Sequence, residues 1–294
     1  LLFHAVAAVE QAVILPAVGD DEPGAFDEHG LGFAHETRER TRKNGMKALR
    51  PAPTCMPVRL FGLFLLFAGV VSAASRTFSS GPAQVPLIEL YTSEGCSSCP
   101  PAEQWLGELR ARPGLWRDFV PVAFHVNYWD RLGWTDRFSS REFTGREYAL
   151  AAAWHSESVY TPCFALNGRE WREAGVRQVP AAGPAQPGPL AAAYGADGML
   201  RVTFAPADSA NYDVEAAVLG GGIVSAVRAG ENEGRTLHHE FIALAMQTIP
   251  LRDGRAELTL PVPATPGVPR HAIAVWVTRR GDLVPMQATG GWID

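Results

Sequence analysis

Two cysteines, Cys96 and Cys99, stand three positions apart between an apolar run and a helix-like run in LIELYTSEGCSSCPPAEQWLGEL. This junction constrains the chain more than any other stretch, because a strand that feeds a helix through a dithiol sets both a local fold and a chemistry. The attacking species in disulfide exchange is a thiolate, and a free cysteine is mostly protonated at neutral pH. A sulfur just outside a helix start faces unpaired backbone N–H groups and the positive end of the helix dipole, and both favour the charged form. Cys96 is therefore expected to attack, and Cys99, one turn further in, to resolve. Ser97 and Ser98 bring no charge, but their hydroxyls can hydrogen-bond a Cys96 thiolate, which favours the reduced form and a more oxidising couple. The 294 residues hold four cysteines, so two of them at this spacing carry information.

The residues ahead of this junction point to export. Leu60 to Val71 (LFGLFLLFAGVV) is apolar, with Arg50 and Arg59 before it and Ser72-Ala73-Ala74 after it, the layout of a secretory signal peptide. Its twelve residues fall short of the ~20 that cross a bilayer as a helix. The expected segments are a disordered upstream extension over 1–45, ahead of a true start at Met46 or Met56, and a signal peptide over 46–74. Cleavage near Ala73 or Ala74 leaves a periplasmic or secreted protein that is not integral to a membrane. From Ser75 onward there are 19 Arg, no Lys and 23 Asp plus Glu. Such a mildly acidic chain has no nucleic-acid footprint, and the missing lysine removes Schiff-base and lysine general-base chemistry. In an oxidising compartment a Cys96–Cys99 disulfide persists. Cys55 lies in the signal region, which leaves Cys163 as the odd thiol.

Hydrophobic patterning orders the rest. Val85 to Tyr91 and Phe119 to Val126 read as buried strands. Pro100 and Pro101 fit the first turn of a helix, where a missing N–H costs little, and Pro113-Gly114 ends it. Ser139 and Glu142 form a capping box for a second helix reaching about Trp154. Val159 to Leu166 is a third strand, and Asn167-Gly168 is the strongest hairpin signal. Strand, CxxC, helix, strand, helix, strand, hairpin is the thioredoxin-like order, so an α/β thioredoxin-like domain is expected over 84–177. The Pro/Gly/Ala-rich stretch 178–189 reads as a linker. Beyond it, short strands at Leu200–Phe204, Val214–Leu219, Ile223–Val227, Phe241–Ile249, Ala256–Leu260 and Ile273–Val277 predict a small all-β domain, an antiparallel sandwich over 190–294.

Further residues are candidates for the site. On this fold Thr161-Pro162 falls where a cis proline faces the dithiol and presents Thr161 backbone groups to an extended substrate strand. The competing reading is an ordinary trans bond opening a strand. Cys163 follows, either as a buried inert thiol or as a third redox thiol. His125 ends the second strand and has three readings: a proton carrier for Cys99, a third ligand with Cys96 and Cys99 for Cu(I), or a core histidine held by hydrogen bonds. His238 and His239 are neighbours on a strand, so they point to opposite faces and cannot share one metal. The CxxC can equally be a structural disulfide; a zinc half-site lacks a second CxxC or HxxxH to complete it.

The stretches ELYTSEGCSSCPPAEQWLGEL, AFHVNYWDRLGWTDRFSSREFTGREYA, VYTPCFALNG and RAGENEGRTL together resemble an exported bacterial family, domain of unknown function 1223, over roughly Pro86 to Asp294. The resemblance implies a thioredoxin-like domain followed by a small β domain, with Cys96, Cys99 and Pro162 at the matching site positions. It supplies no established substrate. Cys163 stands where the family usually carries a polar residue, and Asn127 where aspartate is common.

The sequence thus reads as an exported thiol–disulfide oxidoreductase acting on protein thiols or a redox partner protein, without a cofactor. Cys96 and Cys99 are its catalytic pair, Thr161 and Pro162 orient substrate, and His125 and Cys163 are auxiliary. Gly230 to Leu237 (GENEGRTL) is a candidate partner loop or a plain hairpin turn. One alternative is a Cu(I)-binding chaperone or metal-handling module that uses Cys96, Cys99 and His125. A second is a non-catalytic binding protein with a structural disulfide.

Overall fold

The computed structural model describes residues 13–14, 75–172, 179 and 183–294. The signal peptide expected over 46–74 lies outside the described residues, as do the upstream extension apart from 13–14 and residues 178 and 180–182 of the expected linker. In chain order the elements are β1 Val13–Ile14, β2 Arg76–Ser79, β3 Leu87–Thr92, α1 Pro100–Glu108, β4 Val120–His125, α2 Arg141–Ala153, β5 Ser158–Val159, β6 Cys163–Leu166, β7 Arg169–Glu170, β8 Leu190–Tyr194, β9 Met199–Phe204, β10 Tyr212–Gly221, β11 Ile223–Ala226, β12 Thr236–His239, β13 Ile242–Pro250, β14 Arg255–Thr259, β15 Arg270–Arg279 and β16 Pro285–Trp292.

Eight strands form one mixed sheet in the order β16-β15-β10-β13-β4-β3-β6-β7. Its first half is antiparallel; β13, β4 and β3 then run parallel, and β6 and β7 return antiparallel. A second sheet, β14-β9-β8-β2, is antiparallel throughout. The alternation along β10 and β15 explains how one sheet serves two cores. Val214, Ala216 and Val218 of β10 and Ile273, Val275 and Val277 of β15 face the four-stranded sheet, packing with Leu200, Val202 and Phe204. The intervening Ala217, Leu219, Ala272, Ala274 and Trp276 join the core shared with β3, β4 and α1. Strands buried on both faces read as near-continuous apolar runs, as VPVAF does and as LIELY does apart from Glu89.

The expected class, an α/β thioredoxin-like domain over 84–177 followed by a separate all-β domain over 190–294, is corrected by this topology. The fold is mainly β, and α1 and α2 are the two α-helices among the described residues, nine and thirteen residues long. Strands from both segments lie in one sheet, and the described residues fall in one compact unit. The join is β13 against β4, registered at Ile242 and Ala123, with the Ala123 N–H donating to the Phe241 carbonyl at 2.8 Å. Pro121 has no N–H to offer on that side of β4, and the pairing does not extend to it. A short junction of this kind leaves no periodic signal in the sequence.

A buried ion triad reinforces the join. Arg146 of α2 donates to Glu89 of β3 at 2.7 Å and to Glu215 of β10 at 2.6 Å. Its guanidinium lies 5.6 Å from the Phe124 ring centre and 5.4 Å from that of Trp276. The Tyr91 hydroxyl donates to the same Glu89 carboxylate at 2.9 Å.

Candidate functional site

The dithiol loop is placed by β3, which ends at Thr92, and by α1, which begins at Pro100 with Cys99 as its N-cap residue. Cys99 is thus the cap itself rather than one turn inside. Its carbonyl accepts from the Ala102 and Glu103 N–H groups, while its own N–H reaches the Cys96 carbonyl at 3.3 Å. Cys96 and Cys99 form a disulfide, with Cα atoms 5.4 Å apart, and both are buried.

The Thr161–Pro162 bond is cis rather than an ordinary trans strand opening. The Thr161 carbonyl lies 3.8 Å from the Cys96 sulfur and 3.4 Å from the Ser98 hydroxyl. A disulfide sulfur has no proton to give, so the first contact becomes a hydrogen bond only in the reduced state. Ser98 Oγ is 3.3 Å from Cys96 Sγ, within reach of a thiolate. Trp129 fixes this wall, its indole N–H donating to Thr161 Oγ1 at 2.7 Å. Cys163, two residues beyond Thr161, is a free buried thiol, and burial pushes its pKa far above the ordinary thiol value. An inert role fits that environment.

The Gly230–Leu237 loop closes the site from the other side. Asn232, fully buried, donates from Nδ2 to the Glu94 and Cys96 carbonyls, each at 2.8 Å. The Ser97 N–H donates to the Glu231 carboxylate at 3.1 Å.

Behind the dithiol lies a buried polar cluster that the sequence reading did not assemble. His125, at the end of β4, donates from Nδ1 to Asp136 at 2.6 Å. The same Asp136 oxygen accepts the Glu94 N–H at 2.8 Å. His239 of β12 pairs through Nδ1 with Glu103 of α1, whose other oxygen accepts from Thr92 Oγ1 at 2.6 Å. His239 Nε2 lies 3.3 Å from Glu94 Oε1, an ion-pair contact without hydrogen-bond geometry. The imidazoles of His125 and His239 meet edge to face at 5.4 Å. Burial opposes charge on His239, but Glu103 and Glu94 outweigh it and bring its pKa up to about 10. His125 is raised in the same way against the pull of burial, by Asp136. Burial pushes Glu103 and Asp136 upward, and their histidine partners reverse this and hold both below the usual carboxylate range.

His125 therefore joins Glu103 and His239, with one donor atom from each within 4.8 Å of the others. His238 is exposed and His239 buried, as their opposite faces require. The one signal for His239 was its place on the inward face of an alternating strand; its partners lie more than a hundred positions away in sequence.

A family model described as protein of unknown function (DUF1223) matches residues 87–278. No curated protein matches the chain. Among solved structures, a crystal structure of a protein from Agrobacterium tumefaciens is 24% identical with a TM-score of 0.51, covering 72% of this chain and 94% of its own. HBP35 of Porphyromonas gingivalis is 13% identical with a TM-score of 0.47, covering 72% of this chain and 76% of its own. The first of these likenesses concerns the fold alone.

Proposed function

The chain belongs to the DUF1223 family, and from that premise we propose that it is an exported protein that exchanges disulfides with protein thiols through Cys96 and Cys99. The observation that carries this reading is the Cys96 sulfur set between a helix start and the carbonyl that precedes a cis proline. In the oxidising direction, a substrate thiolate attacks Cys96 Sγ, the Cys96–Cys99 bond breaks, and Cys99 leaves as a thiolate. A second substrate thiolate then attacks the substrate sulfur of the mixed disulfide. It releases an oxidised substrate and a Cys96 thiolate, so the protein gains the two electrons the substrate loses. The Ser98 hydroxyl and the positive end of the α1 dipole stabilise that thiolate. Thr161 backbone groups hold the substrate segment.

Burial of both sulfurs favours a second reading, a binding protein in which the disulfide is a structural staple. Under the exchange reading a substrate gains access when the Gly230–Leu237 loop leaves the Ser97 and Cys96 backbone. A Cys99→Ser variant separates the two readings. Exchange predicts that its lone Cys96 accumulates mixed disulfides with a mildly oxidised model protein, resolved by dithiothreitol and absent from Cys96→Ser. A staple predicts that neither variant forms adducts while folded.

A further inference from the structure

From the cluster of His125, His239 and Glu103, we infer a binding site for one divalent transition-metal ion of the zinc class, separate from the dithiol. One ring nitrogen of each histidine and one Glu103 oxygen lie within 4.8 Å of one another. Bonds of about 2.0–2.2 Å to each donor are reached by side-chain shifts of about 1 Å. Two imidazoles and a carboxylate suit zinc and its first-row neighbours rather than calcium or magnesium.

Three further observations support a metal over a self-sufficient ion pair. First, His125 Nε2 is fully buried with no hydrogen-bond partner, while its Nδ1 is held by Asp136. A carboxylate that fixes one imidazole nitrogen and leaves the other free is the outer-shell arrangement of metal-bound histidines.

Second, the charges suit a divalent ion. Glu94, Glu103 and Asp136 are all buried and stand against the two imidazoles, with hydrogen bonds from Trp134, Thr92 and backbone N–H groups. The cluster thus gathers buried carboxylates around two imidazoles, a setting that favours a divalent cation.

Third, one of the three donors borders a cleft. Glu103 lines a cleft of about 660 Å³ between α1 and β12, together with Gly107, His238 and Glu240.

The test uses the untagged full chain, oxidised so that Cys96 and Cys99 cannot ligate, and stripped with a chelator. Titration with Co²⁺ is expected to give visible d–d bands that saturate at one equivalent and vanish with one equivalent of Zn²⁺. Glu103→Gln and His125→Gln are expected to weaken uptake more than about 100-fold, and Asp136→Asn about 10–100-fold. His238→Ala is expected to leave uptake unchanged. The wild-type Co²⁺ complex provides a readout that does not depend on variants folding: paramagnetically shifted imidazole protons from two histidines, each bearing an exchangeable N–H. No saturable uptake, or loss of uptake in His238→Ala, overturns the site. So does a Co²⁺ complex with shifts from fewer than two histidines.

Discussion

Asn232 holds the Cys96 carbonyl at 2.8 Å from a position 136 residues further along the chain. A second bond from the same amide to the Glu94 carbonyl, also 2.8 Å, makes the Gly230–Leu237 loop a brace for both ends of the turn that enters the dithiol. The chemistry-bearing segment and the C-terminal segment are thus completed by one another at the site as well as in the sheet.

Truncating that brace has two expected effects. Asn232→Ala leaves the Glu94 carbonyl without its donor, while the Cys96 carbonyl keeps the Cys99 N–H, and an unsatisfied buried acceptor costs about 1–3 kcal/mol. The midpoint in a urea melt is expected to fall accordingly. Under native conditions the Cys96–Cys99 bond is expected to be reduced by dithiothreitol several-fold faster, because the covering loop is freed. An unchanged reduction rate means the loop does not gate the sulfur.

Arg146 tests whether the two segments fold as one. Its ion pairs to Glu89 and Glu215 are buried, and Arg146→Ala strands two carboxylates in the core. Breaking a buried pair from one side costs about 3–5 kcal/mol. Denaturation of the wild-type protein is expected to follow a single transition by tryptophan fluorescence and far-ultraviolet dichroism, with the variant shifted as a whole. Two separable transitions contradict the shared sheet.

Glu147 sets a pH dependence. Burial pushes its carboxyl up to about 8, one oxygen has no hydrogen-bond partner, and the other accepts from the Tyr128 hydroxyl at a distant 3.5 Å. In the unfolded chain a glutamate titrates near 4.3. Between those values the folded state binds more protons, so this group's contribution to stability is whole below pH ~4.3 and is lost as the pH rises through about 8. Each pH unit in that window costs about 1.4 kcal/mol from this group alone. Glu147→Gln is expected to flatten the decline in melting temperature between pH 5 and 8; a wild-type slope retained in the variant assigns the decline elsewhere.

Individual elements were legible because their signals are local. The strands around LIELY and VPVAFHV, the Asn167–Gly168 hairpin with both residues at positive φ, and the helix after the dithiol all follow from short-range pattern. The helix cap was displaced by one: Ser140 rather than Ser139 accepts the Phe143 N–H, because the Ser139 hydroxyl donates to Asp130. What could not be read is long-range. Strand periodicity says which face is buried but not which strand lies alongside, so the join of β13 to β4 and the resulting single sheet were invisible. His239, Glu103 and Glu94 each look ordinary in their own windows and acquire meaning only when β12, α1 and the loop after β3 converge. Thr161-Pro162 and Cys163 were singled out by their place at the start of the third strand in the order strand, CxxC, helix, strand, helix, strand.

The central claim is that the Cys96–Cys99 bond turns over. The most direct measurement equilibrates the protein with glutathione redox buffers, quenches in acid, and counts mass-tagged Cys96 and Cys99. A thiolate stabilised by Ser98 and the start of α1 predicts a potential above about −220 mV, in the range of exchange catalysts. A potential below about −300 mV marks a structural staple and contradicts the exchange function.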